Sequence, residues 1–573
     1  MPANTNVALR LAEAFARHGV TVTFGQSLPS AFHLAAPHVG IKQAAYRQEN
    51  AGGAMADGYA RISGRVGVVT AQNGPAATLL VAPLAEALKA SIPIVALVQE
   101  VTRATTDKNA FQELDHLNMF APVAKWVKRI DRADRLEDYV DMAFTVAGSG
   151  RPGPVVILVP ADLLIENAPP PSPRKARLGF YPLDRTVADP SAVEQAAAML
   201  AAAKHPLIFA GGGVHLSAAH DELAALQETA HLPVATTTMG KGVVDEAHPL
   251  TMGVSGYVMG RGARTFAMRG MFERADLVLL VGNRTNQNGT DSWKLFAPHT
   301  QFIHLDIDAM EIGRNYESFR LLGDAKLTLT GLRDAMLRQD LSARRAARPE
   351  VEAEIAAAVA AWRETVAAVR TRDGGPVRPE RVMAELDKRM TADAIAVADA
   401  SYSSIWIAHG LTSRRPGQRF LTPRGLAGLG WGLPMAIGAQ MAAREMSPGG
   451  RRVVCLCGDG GFAHSWAELE TLRRLDLPIV TMVLNNGILG YQKHAETVAF
   501  GEYTNAVHFT EVDHAAIARA CGVNGIRVAR GEDVGPALDA AFASGKPALL
   551  DIVTDPDAKP PISVWAGHYP EPF

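Results

Sequence analysis

The sequence predicts an α/β protein built from three consecutive parallel-sheet domains, and three observations predict it. The chain has 573 residues, which at about 150 residues per domain makes three or four. Hydrophobic residues are 48% and charged residues 20%, enough apolar material for several cores and incompatible with disorder. Short apolar runs alternate with helical patterns in each third of the chain, the signature of βαβ units. Charge excludes one function class. With 57 Lys plus Arg against 59 Asp plus Glu, no basic field exists to hold a phosphate backbone, so no nucleic-acid partner is expected. Three cysteines cannot form a disulfide framework. Cys455 and Cys457 share one face of an apolar strand and read as buried thiols, not as a zinc site. Met1–Arg10 lacks a basic segment followed by an apolar core, and the apolar stretch Gly425–Ala439 is too short and glycine-rich for a bilayer. A soluble, cytoplasmic protein with no membrane partner is the expectation.

In the first block the strand candidates are Thr21–Phe24, Val66–Ala71, Ile94–Val98 and Val155–Val159, with helical patterns at Asn6–His18 and Ala51–Ser63 between them. The proline-rich stretch Ala168–Arg174 closes it as a linker. In the second block Pro206–Ala210 runs into Gly211-Gly212-Gly213, and Leu277–Val281 and Phe302–Ile307 follow. Strand, glycine turn and helix suggest a nucleotide crevice at the carboxyl ends of the strands, although tight turns use glycine as well. Leu341–Arg372, rich in Ala, Arg and Glu, reads as a solvated helical connector. The third block alternates through Ala394–Val397, Arg452–Cys457, Val480–Leu484 and Ala548–Val553. The domains are accordingly placed at 1–170, 190–340 and 375–555, with a tail at 556–573.

Two local patterns carry chemistry. Strand Arg452–Cys457 delivers Gly458-Asp459-Gly460, and strand Val480–Leu484 delivers Asn485-Asn486 beside it. A carboxylate with a side-chain amide suits Mg²⁺, which takes few protein ligands and keeps positions for phosphate and water. The glycines admit a diphosphate close to the backbone. An Asp-Gly turn followed by an Asn cap would look the same. The second pattern is Arg47-Gln48-Glu49 followed by Asn50–Arg61, in which Glu49 alone reads as a carboxylate complementing a helix dipole.

Taken together, Gly458-Asp459-Gly460-Gly461-Phe462 through Glu468-Leu469 to Asn485-Asn486-Gly487 resembles the thiamine diphosphate (ThDP) motif. The Glu49 segment is similar to the one that carries the ThDP-activating glutamate. Gln72-Asn73-Gly74, Phe111-Gln112-Glu113, Arg151-Pro152-Gly153, His304-Leu305-Asp306 and Gly430-Trp431-Gly432 fall in the order of the same family, which includes acetolactate synthases, benzaldehyde lyases, oxalyl-CoA decarboxylases and 2-hydroxyacyl-CoA lyases. The resemblance implies a pyrimidine-binding domain, a central nucleotide-binding-like domain and a diphosphate-binding domain. It implies metal binding by Asp459, Asn486 and the Ile488 carbonyl, and cofactor contacts from Glu49, Asn73, Leu429, Gly458, Gly460, Gly461 and Gly490. Leu429 would bend the cofactor, Glu49 would hydrogen-bond its aminopyrimidine ring, and Gln112 would assist. Because the pyrimidine domain of one chain faces the diphosphate domain of another in this family, a homodimer or homotetramer is implied.

On the branch, Arg151, Gly212, Gly213, Arg284 and Asp306 match positions that hold an adenosine diphosphate moiety: FAD in acetolactate synthases, CoA or ADP in CoA-processing members. Arg284-Thr285-Asn286-Gln287-Asn288 lacks the acidic pair of the acetolactate synthases, so ADP or CoA is expected and FAD is not. Gln492, Lys493 and His494 occupy a segment expected to line the substrate cavity, with Gln492 and Lys493 as catalytic candidates and His494 turned to solvent. The expectation is therefore a ThDP-dependent 2-hydroxyacyl-CoA lyase giving formyl-CoA and an aldehyde or ketone, reversible by acyloin condensation, with acyl-CoA and carbonyl compounds as small-molecule partners. An acetolactate synthase or other 2-keto-acid decarboxylase or carboligase is the alternative, and a catalytically silent nucleotide-binding protein a remote one. The tail from Asp555 carries Trp565, His568, Tyr569 and Phe573 among five prolines. It reads as a lid over the active-site mouth or as packing.

Overall fold

The computed structural model describes residues 5–171, 173–447 and 450–565. Three six-stranded sheets follow one another along the chain, and the strands pair in parallel, as across Ile94–Glu100 and Val155–Pro160 or Val453–Gly458 and Val480–Asn485. Parallel strands are covered by helices on both faces, so they must be apolar without alternation. Val155–Pro160, VVILVP, is buried throughout.

The first sheet runs in space Lys42–Ala44, Val22–Phe24, Gly67–Ala71, Ile94–Glu100, Val155–Pro160, Trp126–Arg129. The third runs Phe420–Leu421, Ile395–Ala398, Val453–Gly458, Val480–Asn485, Ala548–Val553, Asn524–Val528. Numbered by sequence, both orders are 2-1-3-4-6-5, so the first and third domains share one topology. Their equivalent helices, Glu49–Ser63 and Gly432–Met446, pack on each other through glycine. A Cβ on Gly58 would lie 2.1 Å from the Met435 carbonyl oxygen, and one on Gly438 would lie 1.9 Å from that of Met55. No side chain fits at either crossing.

The central sheet runs Phe319–Leu322, Gln301–Asp306, Leu277–Val281, Pro206–Ala210, Val234–Thr236, Thr251–Val254, the 6-5-4-1-2-3 order of dinucleotide-binding folds. The connector is a single helix, Ser342–Arg370, with Pro349 inside it. Among the described residues no helix is long and apolar enough to cross a membrane.

Candidate active site

In open parallel sheets ligands bind beyond the carboxyl ends of the strands, where the strand order reverses. In the third domain that point lies between Ile395–Ala398 and Val453–Gly458, and a cavity sits there. Leu429, Gly458, Asp459, Gly460, Gly461, Asn486, Ile488 and Gly490 all line it. The fold thus gathers eight predicted cofactor or metal residues from three separate segments.

Asp459 opens the short helix after strand Val453–Gly458. Its Oδ2 accepts from the Gly487 N–H at 2.7 Å and its Oδ1 from the Gly460 N–H at 2.9 Å. The Gly487 bond ties the two halves of the motif together. Burial nonetheless pushes its carboxyl up to about 6, since a desolvated carboxylate lacks a countercharge. Asn486 Oδ1 accepts from the Ile488 N–H at 3.1 Å, which aims the amide oxygen along the same turn. Among the described residues no cluster of three or more His, Cys, Asp or Glu side chains could hold a metal ion. One carboxylate, one amide oxygen and a main-chain carbonyl are instead a hard, oxygen-only set suited to Mg²⁺ that shares its shell with phosphate. At Gly460 a Cβ would lie 2.8 Å from Leu489 Cδ2 and 2.9 Å from the Phe509 ring, so the turn is close-packed behind the cavity. These residues fit Mg²⁺ and a diphosphate.

The opposite wall was missed from sequence. Ser401 and Tyr402 line the cavity at the start of helix Tyr402–Gly410. Ser401 has φ 65° and ψ −141°, a conformation that costs about 1–3 kcal/mol in a residue with a side chain and that clusters at ligand clamps. That strain is invisible in the letter Ser.

The first-domain candidates form a separate group. Glu49 opens helix Glu49–Ser63, and Glu468 of the third domain holds the approach to it, its Oε1 accepting from the Arg47 N–H at 2.9 Å and the Gln48 N–H at 3.2 Å. Asn73 Nδ2 donates to the Gln112 carbonyl at 2.9 Å, and Gln112 itself has φ 61°. None of Glu49, Asn73 and Gln112 lines the cavity of Asp459 and Asn486.

Gln492, Lys493 and His494 do not line it either; Tyr491 does. Gln492 is exposed and donates to Glu496 Oε1 at 2.8 Å. Lys493 is paired with Asp557 of the tail at 3.2 Å. His494, expected at the surface, is buried, with its Nδ1 2.5 Å from the Tyr402 hydroxyl, and burial lowers its pKa to about 4. The tail continues this packing. Thr554, Asp555 and Ala558 line the cavity, and Trp565 is buried with ring centroids 5.5 Å from Tyr402 and 5.6 Å from Tyr491. His568, Tyr569 and Phe573 lie outside the described residues.

Arg151, Gly212, Gly213, Arg284 and Asp306 meet in a second cleft, at the strand-order reversal of the central sheet. Arg151 pairs with Glu311 at 2.8 Å and Asp308 at 3.3 Å. Burial raises the Asp306 carboxyl to about 6 and depresses the pKa of Arg284. The glycines have a structural duty too: a Cβ on Gly211 would lie 2.3 Å from the Gly282 carbonyl oxygen, so the two strand-end turns touch.

Three family models match the chain: Thiamine pyrophosphate enzyme, N-terminal TPP binding domain, over residues 5–119; central domain, over 193–332; and C-terminal TPP binding domain, over 399–552. Among known proteins, it is similar to the probable acetolactate synthase large subunit of Methanococcus aeolicus, 32% identical over 96% of this chain and 92% of that one. It is likewise similar to the acetolactate synthase large subunit of Parasynechococcus marenigrum, 33% identical over 96% and 88% of the two chains. The acetolactate synthase isozyme 2 large subunit of Escherichia coli (strain K12) is 31% identical over 90% and 89%.

These likenesses overturn the branch expected from sequence. The 2-hydroxyacyl-CoA lyase and oxalyl-CoA decarboxylase assignment, with its formyl-CoA product and acyl-CoA partners, leaned on a polar Gln492-Lys493-His494 wall. Within one chain Gln492 and Lys493 do not line the Asp459 cavity, and His494 is buried against Tyr402. ADP or CoA in the central cleft and the exclusion of FAD leaned on the missing acidic pair after Arg284. Asp306 and Glu311 supply carboxylates to the cleft from another strand and turn, so the missing pair does not exclude FAD, and the likeness to acetolactate synthases does not support ADP or CoA.

Proposed function

The chain belongs to the acetolactate synthase family of ThDP-dependent enzymes, and from that premise we propose that it is a 2-keto-acid decarboxylase and carboligase acting on pyruvate-like substrates. The cavity at the third-domain switch point, with its desolvated Asp459 and oxygen-only donor set, supports the ThDP part of the reading, and the likeness to acetolactate synthase large subunits supports the 2-keto-acid part. When bound, ThDP supplies an acidic thiazolium carbon that adds to a keto carbonyl and an electron sink for the C–C bond that breaks.

The chain's residues do the rest. Asp459, Asn486 and the Ile488 carbonyl hold Mg²⁺, and Leu429 supports the cofactor from the facing turn. Glu49 moves a proton at the aminopyrimidine ring, with Asn73 and Gln112 beside it.

Because Glu49 and Asp459 of one chain do not share a cavity, the active site takes its two halves from two copies, in a homodimer or larger assembly. Mixing Glu49→Gln with Asp459→Ala chains should then restore about a quarter of wild-type activity, since half the dimers are mixed and each of these has one intact site. No restoration would place both residues in one chain's site.

Supplied with ThDP, Mg²⁺ and pyruvate, the protein is expected to form acetolactate, with one CO2 lost for each two pyruvates joined. Formyl-CoA with acetone should give no product. The opposite pattern would overturn the proposal.

We also propose that the tail residues 555–565 act as a lid. Trp565→Ala should raise acetaldehyde at the expense of acetolactate, because water and protons reach the two-carbon unit before the second keto acid does. An unchanged product ratio would leave the tail as packing alone.

A further inference from the structure

Leu429 sits on a turn that a buried carboxylate grips at each end. On one side, Glu86 projects from the first-domain helix Val81–Ala90 and is 1% exposed. Its Oε1 accepts from the Gly425 N–H at 2.6 Å, and its Oε2 from the N–H groups of Leu426 at 2.5 Å and Ala427 at 3.2 Å. On the other side, Asp399, at the end of strand Ile395–Ala398 and also 1% exposed, accepts from the Gly430 N–H at 2.9 Å and the Trp431 N–H at 3.0 Å. Only Gly428 and Leu429 lie between the two grips.

The turn needs anchoring. Ala427 has φ 63° and Gly430 has φ 88°, and left-handed backbone outside glycine persists only where the surroundings over-determine it. It also lies flush on the helix, since a Cβ on Gly425 would be 2.4 Å from the Glu86 carbonyl oxygen. The grip does not serve to bury side chains: Leu426 is 57% exposed. Burying two carboxylates is costly, and a well-packed apolar contact would stabilise the seam at lower cost. What the arrangement uniquely supplies is a fixed backbone on both sides of Leu429, with one grip reaching across from another domain.

We propose that Glu86 is a positioning residue: with Asp399 it holds the 425–431 turn so that Leu429 meets the cofactor in one geometry. The proposal rests on the ThDP reading above for the identity of what Leu429 meets, but the grip itself is observable without it.

In Glu86→Gln one oxygen remains to accept, while the amide NH2 faces N–H donors. Hydrogen exchange at the amides of Gly425, Leu426 and Ala427 should accelerate at least about tenfold in the variant. With pyruvate, kcat should fall about tenfold or more while KM and the ThDP Kd stay within about threefold, because the Asp459 and Asn486 wall is untouched. Glu445→Gln is the control. Glu445 accepts from the Tyr59 hydroxyl at 2.9 Å across the same inter-domain seam, and its loss should leave kcat and exchange at 425–427 unchanged. Glu86→Asp, which keeps the charge but withdraws it by one methylene, should fall between wild type and Glu86→Gln, and it replaces the latter if that chain does not fold. Unaltered exchange at 425–427 would overturn the proposal, as would faster exchange with unaltered kcat. A wild-type protein that binds no ThDP would instead sink the functional reading, while the exchange comparison would still decide whether the grip exists.

Discussion

Asp459→Ala is expected to lose ThDP and Mg²⁺ together, with cofactor affinity down at least about 100-fold, since even supporting residues around a metal cost up to that much. The reason is electrostatic. Asp459 is the carboxylate of the donor set, and the bond it accepts from the Gly487 N–H also holds the motif's two segments in register. The same geometry sets a pH dependence. Burial raises this carboxyl to about 6 in the cofactor-free protein, and only the ionised form binds a cation. Retention of Mg²⁺ and ThDP should therefore be full above that value and weaken as pH falls through it. Calorimetric titration of the variant, and of the wild type across pH, checks both. Undiminished affinity in Asp459→Ala would remove the residue from the metal site.

Glu49→Gln should do the opposite: keep the cofactor and lose the reaction. The carboxylate lies outside the Asp459 cavity of its own chain, so its replacement leaves the diphosphate wall intact. An amide cannot cycle a proton at the aminopyrimidine ring, and the loss expected for a general acid–base group is about 10²- to 10⁴-fold in kcat. Near-normal turnover with bound ThDP would exclude Glu49 from proton transfer. The two variants thus separate binding from chemistry, and their mixture asks whether the halves meet across a subunit boundary.

Much of this was legible in the sequence, for identifiable reasons. Interior strands such as Val155–Pro160 and Val453–Gly458 are buried on both faces and read as unbroken apolar runs. Strands such as Lys42–Ala44, Trp126–Arg129 and Phe420–Leu421 were not read. They are short edge strands at the rims of their sheets, and the first two present polar side chains that blunt an edge and erase the pattern. Both motifs were legible because each is local. That Glu49 lies outside the Asp459 cavity of its own chain agrees with the family resemblance, in which the two domains meet across chains, and not with anything the local motifs spell out.

His494, expected at the surface, is buried for a geometric reason: successive helical residues turn by about 100°, so neighbours in sequence meet different surroundings. In the structure Tyr491 faces the cavity, Gln492 the solvent, Lys493 the tail and His494 the core. The branch assignment, which leaned on that series, is overturned by the likeness to acetolactate synthases. Glu86 and Asp399 carried no sequence signal, because isolated carboxylates acquire meaning only from the distant backbone they hold.

The most direct test of the account is release of labelled CO2 from carboxyl-labelled pyruvate by the purified protein, with and without ThDP and Mg²⁺. Steady release should require both, disappear in Asp459→Ala and be accompanied by acetolactate. Absence of release from the ThDP- and Mg²⁺-loaded wild type would contradict it.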